Sequence, residues 1–257
     1  MQRMGTAGKE VLGIIVARGG SKSIPKKSIY PCAGNSLIYY TIQAAKKAPT
    51  ISRLIISTDD PEMAAVARSH GVEVPFMRPA ELAQDDTLDL PVFQHALEWL
   101  EREEKYVPDV VVHLRPTTPL KKASDIDAGV AMLLSNPDAE SVRSICEPHH
   151  TPFKMYRLKD DRSFLEPILQ QEHAELYAQH TEPYNMPRQK LPVIWRHSGY
   201  VDVIRPEVIR RGSMSGTKIL PLKFEKWRDV DIDTRRDLEY AAMIIEELRK
   251  KSQNPWD

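Results

Sequence analysis

Val11-Leu-Gly-Ile-Ile-Val-Ala-Arg-Gly-Gly-Ser-Lys-Ser-Ile-Pro-Lys-Lys-Ser28 runs from seven apolar or small residues straight into a glycine-rich, cationic turn. An unbroken apolar run this short reads as a strand buried on both faces. Leu54–Ser57 and Val110–Leu114 repeat the pattern. Between these strands lie Leu37–Lys47, Pro61–His70 and Thr87–Glu104, which read as helices, the last carrying Phe93, Ala96, Leu97 and Leu100 on one stripe. Strands alternating with helices imply an α/β fold of Rossmann-like type: an open, mostly parallel sheet flanked by helices, joined by right-handed crossovers. Ligands of such sheets sit beyond the carboxyl ends of the strands, which is where the cationic turn falls.

Downstream the alternation breaks. The stretch 149–193 carries Pro152, Pro167, Pro183, Pro187 and Pro192 and little periodicity, and reads as an inserted dimerisation arm or small subdomain. Val201–Ile204 and Thr217–Leu222 then read as strands, and a closing helix shows Leu238, Ala241, Ala242, Ile245 and Leu248 on one stripe. Thr234 with Asp237 is a capping pair for that helix. The whole chain, 1–257, thus reads as one domain with an arm.

Composition narrows the function. The 257 residues hold 36 basic and 36 acidic side chains, so a nucleic-acid tail or polybasic membrane patch is not expected. No apolar run approaches the ~20 residues that cross a bilayer. Met1–Glu10 is polar and short of apolar residues, unlike a secretory signal. The two cysteines, Cys32 and Cys146, have neither metal nor redox spacing. A cytoplasmic protein is expected.

In the first turn, Gly19 and Gly20 let backbone amides approach a ligand, and Arg18, Lys22, Lys26 and Lys27 surround them with positive charge. This chemistry fits a polyphosphate, and the alternative is a solvated basic turn. Ser21 before Lys22 excludes a Walker A loop, and the Gly-x-Gly-x-x-Gly fingerprint is absent. Asp231 and Asp233 flank Ile232, so an extended chain turns both carboxylates to one side, as Mg2+ sites require, with Asp229 close in sequence. The alternative is that Asp233 only caps the last helix. His149 and His150 read as structural, and Trp195 and Tyr200 as core residues.

These features, with Ser57-Thr-Asp-Asp60, Phe76–Leu82, Arg115-Pro-Thr-Thr-Pro-Leu120, Pro187–Pro192 and Asp231-Ile-Asp-Thr234, resemble the N-acylneuraminate (CMP-sialic acid) cytidylyltransferase family. The resemblance implies attack by a 2-keto acid sugar hydroxyl on the α-phosphorus of CTP, giving a CMP-sugar and pyrophosphate. It implies catalytic roles for Arg18, Lys27 and Asp233, and nucleotide binding by Arg18, Gly19, Gly20, Ser21, Lys22, Lys27 and Arg78. It assigns Mg2+ to Asp231 and Asp233, and the sugar to Arg115, Lys154, Arg188, Arg196 and Asp202. It also implies a homodimer in which the arm completes the partner's site. Same-chemistry alternatives are a 3-deoxy-octulosonate or legionaminate acceptor, or GTP as donor; a non-catalytic nucleotide-binding protein is a further one. The chain departs from the family pattern where Arg115 replaces a glutamine, Ser198 an asparagine, Asp202 a tyrosine, and Leu88 and Asp89 stand near usual serines. Arg115 and Asp202 are expected either to pair with each other, or to divide, Arg115 taking an acceptor carboxylate.

Overall fold

A computed structural model describes residues 8–160 and 163–257, so most of Met1–Glu10 lies outside the described residues. The chain divides into two compact units: one comprises the residues up to Ile145 together with His197–Asp257, and the other is Cys146–Arg196. The second unit brackets the expected arm, extending it by three residues at each end.

In the larger unit the chain runs through β1 (Val11–Val16), the short ribbon β2 (Pro31–Cys32) and β3 (Asn35–Ser36), α1 (Leu37–Lys47), β4 (Arg53–Ser57), α2 (Pro61–Ser69), α3 (Asp89–Glu104), β5 (Val110–Leu114), α4 (Ala123–Leu134) and β6 (Ser141–Cys146). The smaller unit holds the ribbon β7 (Tyr156–Leu158) and β8 (Leu165–Pro167), and a six-residue helix α5 (Ala174–Gln179). The larger unit resumes with β9 (Arg196–Ile204), α6 (Pro206–Arg210), β10 (Ile219–Lys223) and α7 (Arg235–Lys250).

Six strands form one sheet in the order β10-β6-β9-β5-β1-β4. β1 pairs in parallel with β4 and β5, and β10 with β6, whereas β9 runs antiparallel to β5 and sets His113 opposite Asp202. Both faces of β1 are buried: Val11 and Ile15 face α1, α4 and α7, while Leu12 and Ile14 face α3 and α6. That is why the strand reads as continuous rather than alternating. From β1 the chain moves outward to β4 through α1, then returns through α3 on the opposite face to β5. The strand order therefore reverses between β1 and β5, and the crevice beyond their carboxyl ends is the expected ligand site.

α7 opens as its sequence implies. Thr234 accepts a hydrogen bond from the Asp237 backbone N–H at 3.3 Å, and the Asp237 carboxylate accepts from the Thr234 N–H at 2.6 Å, a full capping box. Tyr200 is a core residue stacked on Phe224 at 4.2 Å, but Trp195 is 41% exposed, so its expected place in a core is corrected. His149 and His150 are exposed and line a cavity in the smaller unit.

Candidate active site

A cavity of about 260 Å³ opens at the β1–β5 reversal, lined by Arg18, Ser21, Lys27, Arg78, Asp89, His113, Arg115 and Thr117 among others. One wall is the turn after β1. There the Gly19 N–H donates to Asp59 Oδ1 at 3.1 Å, and a Cβ on Gly19 would stand 2.9 Å from Asp60 Oδ2. The absence of a side chain suits the turn there, which presses against the residues that open α2. Asp60 itself caps α2 through the N–H groups of Glu62 and Met63.

The cations of this turn are held by different partners. Arg18 reaches Asp85 Oδ1 at 2.9 Å and donates to Gln84 O at 2.7 Å, and the 80% exposed Lys22 reaches the other Asp85 oxygen at 2.5 Å. Asp85 lies where an anionic ligand of Arg18 and Lys22 would bind. Lys26, left-handed at φ 51°, turns away to Glu62, whose hydrogen bond raises its pKa. Lys27 is largely buried and points across the cavity, donating to Ile232 O at 2.6 Å and standing 3.3 Å from Asp233 Oδ1.

The segment Asp231-Ile-Asp233 alternates as predicted: Ile232 is buried while Asp231 is half-buried and Asp233 exposed. The Ile232 N–H donates to Thr117 O at 2.8 Å, which ties the aspartates to the loop after β5. The structure does not bring Asp229 to them; it is buried and accepts from Ser198 Oγ at 2.9 Å. Among the described residues no group of three His, Cys, Asp or Glu could hold a metal by itself. Two accessible carboxylates are nevertheless the hard oxygen donors that Mg2+ takes, with water and phosphate oxygens completing the shell. Asp231 and Asp233 thus fit Mg2+.

Arg78 is 5% exposed, and its guanidinium donates to Ala17 O at 2.9 Å, to Ser57 Oγ at 3.1 Å and to Ser57 O. Burial lowers its pKa to about 10. Those bonds make it a brace of the β1 and β4 ends as well as part of the cavity wall.

Arg115 and Asp202 do pair, at 3.0 Å, and Arg115 also donates to Asp89 Oδ2 at 2.9 Å. The far oxygen of Asp202 meets His197 Nε2 at 2.9 Å. Asp202 is 2% exposed; burial opposes its charge, but His197 and Arg115 outweigh that and hold its pKa at about 2. A Cβ on Gly199 would lie 2.8 Å from Arg115 Cδ, so the glycine makes room for the guanidinium.

Two buried bases escaped the sequence reading. His113 is fully buried against Phe93, with neither ring nitrogen hydrogen-bonded among the described residues. An orphaned buried polar group costs about 1–3 kcal/mol. Burial pushes its pKa down to about 3, so the ring is neutral. Lys121, also fully buried, donates to Arg115 O at 2.6 Å and to Thr118 O at 2.7 Å, holding the loop after β5 from behind. Burial places its pKa well below the usual lysine value, against the opposing charge of Asp231. Only the spacing of the β5 register could have pointed to His113; Lys121 in Lys-Lys reads as solvated.

In the smaller unit, Lys154 and Arg188 line one cavity of about 410 Å³ with His149 and His150. Arg188 is anchored by donating to Pro148 O at 2.7 Å. Arg196 begins β9 and is exposed.

Residues 12–252 match the family model described as cytidylyltransferase. "Post-translational flagellin modification protein B" of Campylobacter coli is 31% identical over 60% of this chain and 65% of its own length. "CMP-N,N'-diacetyllegionaminic acid synthase" of Legionella pneumophila is 26% identical over 92% of this chain and 96% of its own. Of several other curated relatives the chain spans only about half the length. A solved structure, CMP:2-keto-3-deoxy-manno-octonic acid synthetase complexed with CTP, shares the fold at TM-score 0.66 and 15% identity, covering 93% of this chain and 99% of that one. The matched region begins in β1, takes in the cationic turn and both walls of the cavity, and ends just beyond α7: the chain belongs to the cytidylyltransferase family.

Proposed function

We propose that this protein transfers the cytidylyl group of CTP to the hydroxyl of an acidic 2-keto sugar. The hydroxyl oxygen bonds to the α-phosphorus, the bond to the bridging oxygen breaks, pyrophosphate leaves, and the hydroxyl proton passes to solvent or a nearby base. The observation that carries the reading is Lys27, held between Ile232 O and Asp233 inside the cavity at the strand reversal. Its ammonium is fixed in place before a ligand arrives, and preorganised charge is what stabilises a transferring phosphoryl group.

Arg18 and Lys22, with the amides of Gly19, Gly20 and Ser21, would hold the outer phosphates, displacing Asp85. Asp231 and Asp233 would hold Mg2+, which neutralises phosphate charge and makes the attacking hydroxyl more acidic. The accessible β7–β8 ribbon, with Leu158 at 59% and Leu165 at 62% exposed, supports a homodimer in which this unit meets a second copy and offers Lys154 and Arg188 to its site. The absence, among the described residues, of any helix long and apolar enough to cross a membrane accords with a cytoplasmic location. The pairing of Arg115 with Asp89 and Asp202, at positions where the resembled family has a glutamine and a tyrosine, favours an acceptor other than N-acetylneuraminate, because a different set of polar groups faces the sugar's substituents.

A matrix of nucleoside triphosphates against acidic sugars, read as pyrophosphate release with Mg2+, tests this. Turnover is expected with CTP and a legionaminate-type or 3-deoxy-octulosonate-type acid, with N-acetylneuraminate poor. No release from CTP with any acid in the panel would refute it.

A further inference from the structure

Cytidylyl transfer to a hydroxyl releases a proton, and the hydroxyl is a weak nucleophile until it loses it, so a base within hydrogen-bond reach speeds the attack. Two nitrogen bases at the carboxyl ends of the strands are shut away from a sugar. His113 is fully buried, with its pKa at about 3, and Lys121 is fully buried and donates to the Arg115 and Thr118 carbonyls. His197 is different: its side chain is 37% exposed. β9 runs antiparallel to β5 with Asp202 opposite His113, so the residues before Asp202 lie beyond the carboxyl end of β5, on the ligand side of the sheet. Gly199 packs on Arg115, which lines the cavity, and Ser198 donates to Asp229, just before the Asp231–Asp233 segment. The Arg115 guanidinium and the His197 ring rest on the two oxygens of one carboxylate, Asp202, at 3.0 and 2.9 Å.

We infer that His197 is the base that takes the proton of the attacking hydroxyl, with Asp202 holding its ring. The inference rests on the cytidylyl-transfer reading and deepens it. Asp202 is 2% exposed; burial opposes its charge, but His197 and Arg115 hold its pKa at about 2, so it is ionised and can only accept a hydrogen bond. The ring proton therefore sits on Nε2, and the lone pair is left on Nδ1, turned away from the carboxylate. As the hydroxyl oxygen bonds to the α-phosphorus, its proton passes to Nδ1. The bridging oxygen leaves with pyrophosphate and keeps the electron pair of the broken bond. The imidazolium so formed faces the Asp202 carboxylate and then gives its proton to solvent. A buried carboxylate that fixes the tautomer and aim of an accessible imidazole is the device by which a histidine becomes a directed base.

Variants at His197, assayed by pyrophosphate release with CTP and an acid that the unmodified protein turns over, test this. His197→Ala should lower kcat by about 100-fold or more, the usual worth of a general base, with the calorimetric Kd for CTP within about twofold of normal. Added imidazole should raise that rate at least about tenfold, in proportion to its unprotonated fraction, because the half-exposed position admits a free base. His197→Gln keeps an amide N–H for Asp202 but cannot take a proton, so it should be as slow as His197→Ala while melting near the unmodified protein. Normal turnover in His197→Gln, or no rescue of His197→Ala by imidazole, would overturn the inference while leaving cytidylyl transfer intact. No pyrophosphate release by the unmodified protein with any acid would overturn both.

Discussion

Arg115 is the residue whose surroundings were most readable in advance, because a lone guanidinium and a lone carboxylate are each too costly to bury. That cost left pairing with each other as one of two expectations, and it is the one found; the third member, Asp89, lies on another element and no spacing announces it. The network makes a stability prediction. Arg115→Gln leaves the nearly inaccessible Asp202 carboxylate with only His197, and removing one partner of a buried pair costs about 3–5 kcal/mol. Chemical denaturation should show a loss of that order for Arg115→Gln, and a smaller one for Arg115→Gln combined with Asp202→Asn. A pH prediction comes from His113. Its folded pKa, about 3, lies below the 6.5 of an exposed histidine, so between those values the unfolded chain binds the extra proton. Stability should therefore fall as pH drops from about 6.5 toward 3. In His113→Leu the decline over that window should be shallower, as followed by thermal melting; an identical pH profile would contradict a neutral buried imidazole.

Among the elements, β1 and α7 were the clearest in sequence, for opposite reasons. β1 is apolar throughout because both of its faces are covered, and α7 shows a 3.6-residue stripe because only one of its faces is. α4 and α6 were not foreseen: α4 mixes aspartates with alanines, and α6 spans only five residues, too few to show a period. The antiparallel direction of β9 was equally hidden, since a strand's residues do not encode its neighbour's direction. The cap of α7 ties an element to the candidate chemistry, because Asp237 also accepts from the Asp233 N–H at 3.1 Å and so steadies a proposed metal ligand. Thr234→Ala should cost about 1 kcal/mol in urea unfolding. It should also raise the Mg2+ concentration needed for half-maximal rate; a variant with the stability loss alone would show that the cap serves only the helix.

Across the whole molecule the candidate site divides unevenly between what sequence and structure reveal. The motifs picked out the cationic turn and the aspartate pair, because glycines, lysines and alternating aspartates carry their chemistry in their own spacing. One end of the cavity joins β5 and the start of α3, with Asp202 of β9 behind Arg115, distant stretches that meet only when the sheet forms. The smaller unit contributes Lys154 and Arg188 to one cavity, and its exposed apolar ribbon points to a second copy. If that copy shares its site, inactive Arg188→Ala and inactive Asp233→Ala protomers should regain part of the activity when mixed, and a mixture that forms heterodimers yet stays inactive would show that each chain works alone. The nucleotidyl-transfer assignment itself is tested most directly by the rate of pyrophosphate release from Lys27→Ala at saturating CTP and acceptor. Loss of a preorganised charge at the α-phosphate should lower kcat by more than about 100-fold with the fold intact. A normal kcat with only a raised KM for CTP would contradict it, leaving Lys27 as a ground-state phosphate contact.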